Sequence, residues 1–156
     1  MQLSYISGAG QEEVVQLIQA DLKNIGITVD LDGSDGPTFS DKVYGGKFQM
    51  ARDAWTADYP IADNFLYPIF GSASDSNVLG YSNAAVDQGI LAARQILDPA
   101  ARAVAYEKVS ATIGNDSPVA PIYAYRHRSV CSARLHNFTY SPLCLSDFVS
   151  CWISTQ

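Results

Sequence analysis

Two hydrophobic rhythms divide this chain into helices and strands. Gln2–Ile6 reads as a short strand, broken by Gly8-Ala9-Gly10. Val14, Leu17, Ile18, Leu22 and Ile25 then recur at helical spacing and predict one apolar face on a helix from about Gln11 to Asn24. Glu12 and Glu13 sit at the positive end of its dipole, and Gly26 is a fitting stop. Ile27, Val29 and Leu31 alternate with Thr28 and Asp30, as in a half-buried strand. Strand, helical crossover and strand together imply two neighbouring parallel strands.

Asp32–Pro37 reads as a turn cluster, followed by a short helix over Thr38–Tyr44 that stops at Gly45-Gly46. Phe48, Met50 and Arg52 suggest a third strand, whose end delivers a turn over Trp55–Pro60. Crevices beyond the carboxyl ends of strands are where open α/β sheets take their ligands. Asp63–Phe70 predicts a helix with Phe65, Leu66 and Ile69 inward and with Asp63 and Asn64 as capping residues. Gly71–Gly80 is a polar loop and the best candidate for mobility. Asn83 caps a predicted helix over Ala84–Leu97, carrying Val86, Ile90, Leu91 and Arg94 in turn. Asp98-Pro99 opens another, which runs to Ile113 through Val104, Tyr106 and Val109. Val119–Tyr125 predicts a strand, and a strand or short helix is expected near Phe148–Ile153.

Composition narrows the class. A chain of 156 residues, 47% hydrophobic and 17% charged, is that of a globular domain able to bury a sizeable core. Its net charge of -6 speaks against nucleic acid as a partner and against electrostatic docking on anionic lipid. No apolar run approaches the roughly 18 residues of a membrane span, and the first residues lack the pattern of a signal peptide. Three cysteines, Cys131, Cys144 and Cys151, lie near the end of the sequence. They lack the close pairing of a zinc site and are expected to be buried and inert; a Cys144–Cys151 disulfide is the alternative.

The stretch with most chemistry is Met50–Pro60. Arg52 offers a fork for a carboxylate, Trp55 a flat apolar wall and Asp58 an anion for an ammonium group, a set that suits a zwitterion such as a short peptide. Each has a plainer reading: Arg52 as an ion-pair partner of Asp53 or Asp63, Trp55 as core, and Asp58 as a turn-former before Tyr59-Pro60. No catalytic residue, metal site or cofactor is expected. His127, with Ser129 and Cys131 as its nearest nucleophiles, lacks the context of a nucleophile elbow. The aspartates around Asp32 and Asp35 lack the calcium-loop pattern.

Four segments together resemble the bacterial extracellular solute-binding proteins of the oligopeptide/dipeptide class, family 5 type, which serve ABC importers. They are Gly26-Ile-Thr-Val-Asp-Leu31, Ala51-Arg-Asp-Ala-Trp-Thr-Ala-Asp-Tyr-Pro60, Gly80-Tyr-Ser-Asn-Ala-Ala-Val-Asp87 and Asp116-Ser-Pro-Val-Ala-Pro-Ile-Tyr123. The resemblance implies an α/β, periplasmic-binding-protein-like lobe, with a mixed, partly parallel sheet flanked by helices. It implies a C-terminal ligand-binding lobe over residues 1–125. Residues 126–156 are then a returning segment that packs toward an N-terminal lobe not contained in this sequence. By the same resemblance Asp58 pairs with the α-ammonium of a short peptide, Trp55 lines the pocket beside it, and Arg52 meets a peptide carboxylate or a nearby acid. The implied partners are a short peptide or similar small solute and the membrane subunits of an ABC importer, and the implied location of the parent protein is extracytoplasmic. The alternative is a lobe that acts as a sensing or interaction module, or forms a homodimer through its late aromatic segment Phe138–Trp152, without binding ligand.

Overall fold

A computed structural model describes residues 1–126, 128–141, 143 and 148–155. The elements in chain order are β1 (Gln2–Ile6), α1 (Glu12–Asn24), β2 (Asp30–Ser34), α2 (Gly36–Tyr44), β3 (Met50–Ala51), α3 (Asp63–Phe70), α4 (Ala84–Arg94), α5 (Pro99–Asp116), β4 (Leu135–His136) and β5 (Trp152–Ile153). β1 is the centre of a three-stranded sheet in the order β2-β1-β3, with both pairings parallel. β4 and β5 form a separate antiparallel pair, in which His136 stacks on Trp152.

Alternation along β1 sends Leu3 and Tyr5 to one face of the sheet and Ser4 to the other. Leu3 is in register with Leu31 and Met50, and this row packs with Val15, Ile18 and Leu22 of α1. Ser4 is in register with Asp32; its hydroxyl donates to Asp32 Oδ2 at 2.8 Å, and Lys42 of α2 pairs with the same oxygen. The two crossover helices therefore cover opposite faces. Tyr5 lies across Gly33, where a Cβ would sit 2.8 Å from the ring, so the glycine inside β2 is a close-approach position.

The buried face of α1 differs from the predicted one. Gln11, Val15, Ile18 and Leu22 point at the sheet, while Leu17 and Ile25 are exposed. The helix carries two offset apolar stripes, and the sheet covers only one. β2 also lies later than predicted. The segment from Asp32 to Pro37 is the end of a strand and the start of a helix, with Asp35 Oδ1 accepting from Thr38 N at 2.8 Å and Pro37 in the first turn.

A second core lies among α3, α4 and α5, built from Leu66, Phe70, Val86, Ile90, Ala93, Tyr106, Val109 and Ile113. Phe70 takes the inward place predicted for Phe65, which is exposed, and Leu91 and Val104 also face solvent. Complete burial of Val86 and Ile90 contributes about 1.5–3 kcal/mol each. Both helix starts are capped as predicted, by Asn83 accepting from Ala85 N at 2.9 Å and by Asp98 accepting from Ala101 N at 2.8 Å. α4 ends at Arg94, leaving Leu97 outside the helix and 91% exposed. α4 and α5 approach closely at Gly89, where a Cβ would lie 2.6 Å from Val109 Cγ2.

Two further expectations change. Val119–Tyr125 joins no ladder among the described residues, and Ile122, Tyr123 and Tyr125 are exposed. Cys131 is exposed rather than buried, and Cys151 is half-buried. Cys144 lies outside the described residues, as does His127, so neither the disulfide alternative nor the histidine has a structural account.

Candidate ligand-binding site

The segment that follows β3 is fixed at both ends. Arg52 N donates to Ser4 O at 2.8 Å, which carries the ladder one residue past β3. At the other end α3 begins with two polar residues that are both buried, Asp63 at 7% and Asn64 at 3% exposure. They are not caps: the residue preceding α3 is Ala62, and it makes no side-chain cap bond. Asp63 instead ties the helical layer together. Its carboxylate accepts from Arg94 Nε and Nη2 at 2.7 and 2.9 Å, and from the hydroxyls of Tyr59 and Tyr106 at 3.2 Å each. Burial alone would raise this carboxyl, yet the Arg94 bonds and charge, joined by the two hydroxyls, outweigh it and hold it below its ordinary value.

Asn64 holds the loop. Its Oδ1 accepts from Trp55 Nε1 at 3.1 Å and from Asp58 N at 2.9 Å, and its Nδ2 reaches Asp58 Oδ2 at 3.5 Å. Trp55 and Asp58 are thereby brought to one open concavity of about 370 Å³, which Tyr67, Pro68, Ser74 and Asp75 also line. Tyr67 is backed by the Arg94 guanidinium, 4.3 Å from the ring centroid. The far wall belongs to the Gly71–Gly80 loop. That loop is cross-braced: Ser74 Oγ donates to Pro68 O at 2.9 Å, Asn77 Nδ2 donates to Gly71 O and Tyr81 O, and Ser72 bonds the Asp87 carboxylate through both N and Oγ.

Arg52 stands apart from this concavity. Its side chain is 7% exposed, and Nη2 donates to the hydroxyls of Tyr123 and Tyr125 at 2.5 and 2.6 Å. Its guanidinium carbon lies 5.5 and 5.7 Å from the two ring centroids, and the rings meet edge to face. Burial would lower the Arg52 pKa, but the bonds from Tyr125 and Tyr123 more than offset that and raise it. Tyr125 moves the other way, below its ordinary value, because Tyr123 and then Arg52 bond its hydroxyl oxygen. The ion pair considered for Arg52 with Asp63 is not formed, because Arg94 occupies that carboxylate.

Of the three residues predicted from sequence, two share the concavity and the third braces the 119–126 segment. Sequence reasoning missed Asn64, Tyr67 and Asp75. A signal existed for Asp63 alone: it lies three and seven positions before Leu66 and Phe70, on the inward face. The surface offers a carboxylate, an indole and a phenol ring around an open hollow, which is recognition chemistry. Among the described residues no group of three or more His, Cys, Asp or Glu is placed to hold a metal ion.

Residues 2–77 match the model of the bacterial extracellular solute-binding proteins, family 5 (middle region). The periplasmic oligopeptide-binding protein OppA of Salmonella typhimurium is 33% identical over 103 residues, covering 66% of this chain and 19% of that protein. Among solved structures, OppA of Burkholderia pseudomallei superposes with a TM-score of 0.81 at 26% identity, over 91% of this chain and 28% of its own. DppA of Helicobacter pylori, in complex with the peptide STSA, superposes with a TM-score of 0.68 at 28% identity, over 75% of this chain and 24% of its own. The chain thus spans under a third of the length of these relatives. The parallel β2-β1-β3 sheet between crossover helices is a periplasmic-binding-protein fold, and over residues 2–77 the chain is similar to the bacterial extracellular solute-binding proteins, family 5.

Proposed function

We propose that this chain is part of the substrate-binding component of an ABC-type peptide importer, and that Asp58 pairs with the α-ammonium of a short peptide. One observation carries the reading: Trp55 and Asp58 line the same concavity, and the Asp58 carboxylate is exposed within it. Among the described residues its single hydrogen-bond partner is Asn64 Nδ2 at 3.5 Å, which leaves acceptor capacity for an incoming cation. Asp75, which lines the same concavity, adds negative potential of the sign an ammonium needs. Relatives named for oligopeptide and dipeptide binding, and one solved with a bound peptide, support the choice of ligand class. Waters bridge a hollow of this size at little cost and suit a ligand of variable side chains. In this reading Arg52 serves the carboxylate end of the ligand with the donors not held by Tyr123 and Tyr125. Residues 1–125 form the ligand-binding lobe, and the parent protein works outside the cytoplasm beside the importer's membrane subunits. Among the described residues no helix is long and apolar enough to cross a membrane.

The test is thermal unfolding with di- to pentapeptides bearing free or acetylated N-termini and free or amidated C-termini. A ligand at a hundredfold over its Kd stabilises by about 2.7 kcal/mol. A shift confined to free amines is the expected result; equal shifts with acetylated peptides, or none at all, would remove Asp58 from this role.

A second reading has its own support. Val130 and Val149 are 98% and 97% exposed, and Phe148, Trp152 and Ile153 are more than half exposed. These exposed apolar side chains suit burial against another polypeptide surface, either the rest of a longer chain or a second copy. A concentration-dependent dimer with no response to any peptide would favour self-association over ligand binding.

A further inference from the structure

We infer that Asn64 is the positioning residue of the site: its side chain aims the Asp58 carboxylate and joins it to the Trp55 indole. The inference rests on the reading of Asp58 as the ammonium partner and extends it to a residue that touches no ligand. Asn64 is 3% exposed, and both ends of its amide are committed within a single loop. Its oxygen is the shared acceptor of the Trp55 indole N–H and the Asp58 backbone N–H, at 3.1 and 2.9 Å. Its amide nitrogen faces Asp58 Oδ2 at 3.5 Å. The orientation of the amide follows from these partners, since the two N–H groups donate only to an oxygen and the carboxylate accepts only from the amide nitrogen.

Two consequences follow. The Asp58 carboxylate is fixed twice, through its backbone and through one oxygen, so Oδ1 is the atom left for an ammonium group. The indole and the carboxylate also report on each other, because any shift of Asn64 moves both. Asn64 is itself held in the first turn of α3, next to Asp63, whose carboxylate is gripped by Arg94 and Tyr106. The α3–α4–α5 layer thus sets the direction of the ligand-binding aspartate.

The test combines affinity and fluorescence in the whole chain. Trp152 is the only other tryptophan, so Trp152→Phe leaves Trp55 as the sole indole emitter. In that background, Asn64→Ala, Asn64→Asp, Asp58→Asn and the Asn64→Ala/Asp58→Asn double variant are titrated with one peptide bearing a free or an acetylated N-terminus. Asn64→Ala is expected to shift Trp55 emission in the ligand-free protein. It is also expected to lower the preference for the free amine about tenfold, the equivalent of one hydrogen bond to a charged group. The double variant should lose little more than Asp58→Asn alone, since the two act on one contact. Asn64→Asp, which keeps the acceptor oxygens, should restore the ligand-free emission even if the amine preference changes.

The outcomes separate cleanly. A wild type that does not bind, or that binds both peptides alike, overturns the Asp58 reading and with it the ligand role of Asn64. A wild type that prefers the free amine, with an Asn64→Ala variant of unchanged preference or losses additive with Asp58→Asn, overturns the Asn64 assignment alone.

Discussion

The Asp63 carboxylate and the Arg94 guanidinium meet fork to fork, Nε on Oδ1 at 2.7 Å and Nη2 on Oδ2 at 2.9 Å, across the gap from α3 to α4. The same guanidinium supports the Tyr67 ring, which lines the concavity beside Trp55 and Asp58. One cation therefore braces both the foot of the loop and one wall of the hollow.

Removing either partner should destabilise the fold. Breaking a fully buried pair costs about 3–5 kcal/mol. Here the Arg94 side chain is 34% exposed and that of Asp63 only 10%, so solvent screens part of the interaction. Asp63→Ala, which strands Arg94, Tyr59 and Tyr106 together, is expected to cost about 2–3 kcal/mol, and Arg94→Ala about 1–2 kcal/mol. Urea unfolding measures both, and equal values near zero would refute the bracing role.

Acid should weaken the protein through the same carboxylate. Asp63 is held below its ordinary pKa by Arg94 against the opposing effect of burial, and Asp32 is held down by the Lys42 and Ser4 bonds. A carboxyl whose folded pKa lies below its unfolded one adds stability that is complete above the unfolded pKa, about 3.9 for Asp. That stability is lost as the pH falls through the folded value. The contribution of these two groups to the urea midpoint should be flat from about pH 7 to 5 and fall below about pH 4. Asp63→Asn should flatten the acid slope, whatever its effect at neutral pH.

Gly89→Ala sets two effects against each other. Alanine is favoured over glycine inside a helix by about 1 kcal/mol. The new methyl would lie 2.6 Å from Val109 Cγ2, a stiff β-branched side chain in the second core, and overpacking of this kind costs about 1–3 kcal/mol. Net destabilisation is expected, and it should be smaller in a Val109→Ala background, where the clash is gone. A stabilised single variant would show that α4 and α5 can separate freely.

The two acids of the concavity should differ in weight. Asp58→Asn removes the charge proposed to meet the ammonium and is expected to cost about 2–5 kcal/mol of affinity for free-amine peptides once the pair is closed off from water. Asp75→Asn acts only through the field of an exposed group, so it should cost under about 1 kcal/mol and vanish in high salt. Calorimetry at low and high ionic strength distinguishes them, and equal salt-resistant losses would assign Asp75 a direct contact.

Much of this was legible in the sequence. The β-α-β order, both helix caps at Asn83 and Asp98, and the position of the loop after β3 follow from periodicity and cap chemistry that act over a few residues. The face of α1 did not follow, because Leu17 and Ile25 are as apolar as Val15 and Ile18, and only the sheet decides between them. Val119–Tyr125 carries β-forming residues, yet it finds no strand partner among the described residues and spends its tyrosines on Arg52. At the site, Trp55 and Asp58 could be named from residue type, while Asn64 could not. Its role depends on two N–H groups nine and six residues away, and a polar residue at the start of a helix reads first as a cap.

The two hydrophobic cores also differ in how far apart their parts lie along the chain. α4 and α5 are joined by a short loop, so Val86, Ile90, Ala93, Tyr106 and Val109 close most of that core with local contacts. β1 must find β2 across a helix and β3 across more than forty residues before its own core exists. Short loops close at lower entropic cost than long ones, and chains rich in local contacts fold faster. The helical layer is thus the part that can assemble early, and the sheet the part that must wait. The segment between Arg52 and Asn64 bridges the two, so the pocket takes shape only when both halves are in place. Its backbone amides should be among the first to exchange with deuterium and the last to regain protection on refolding.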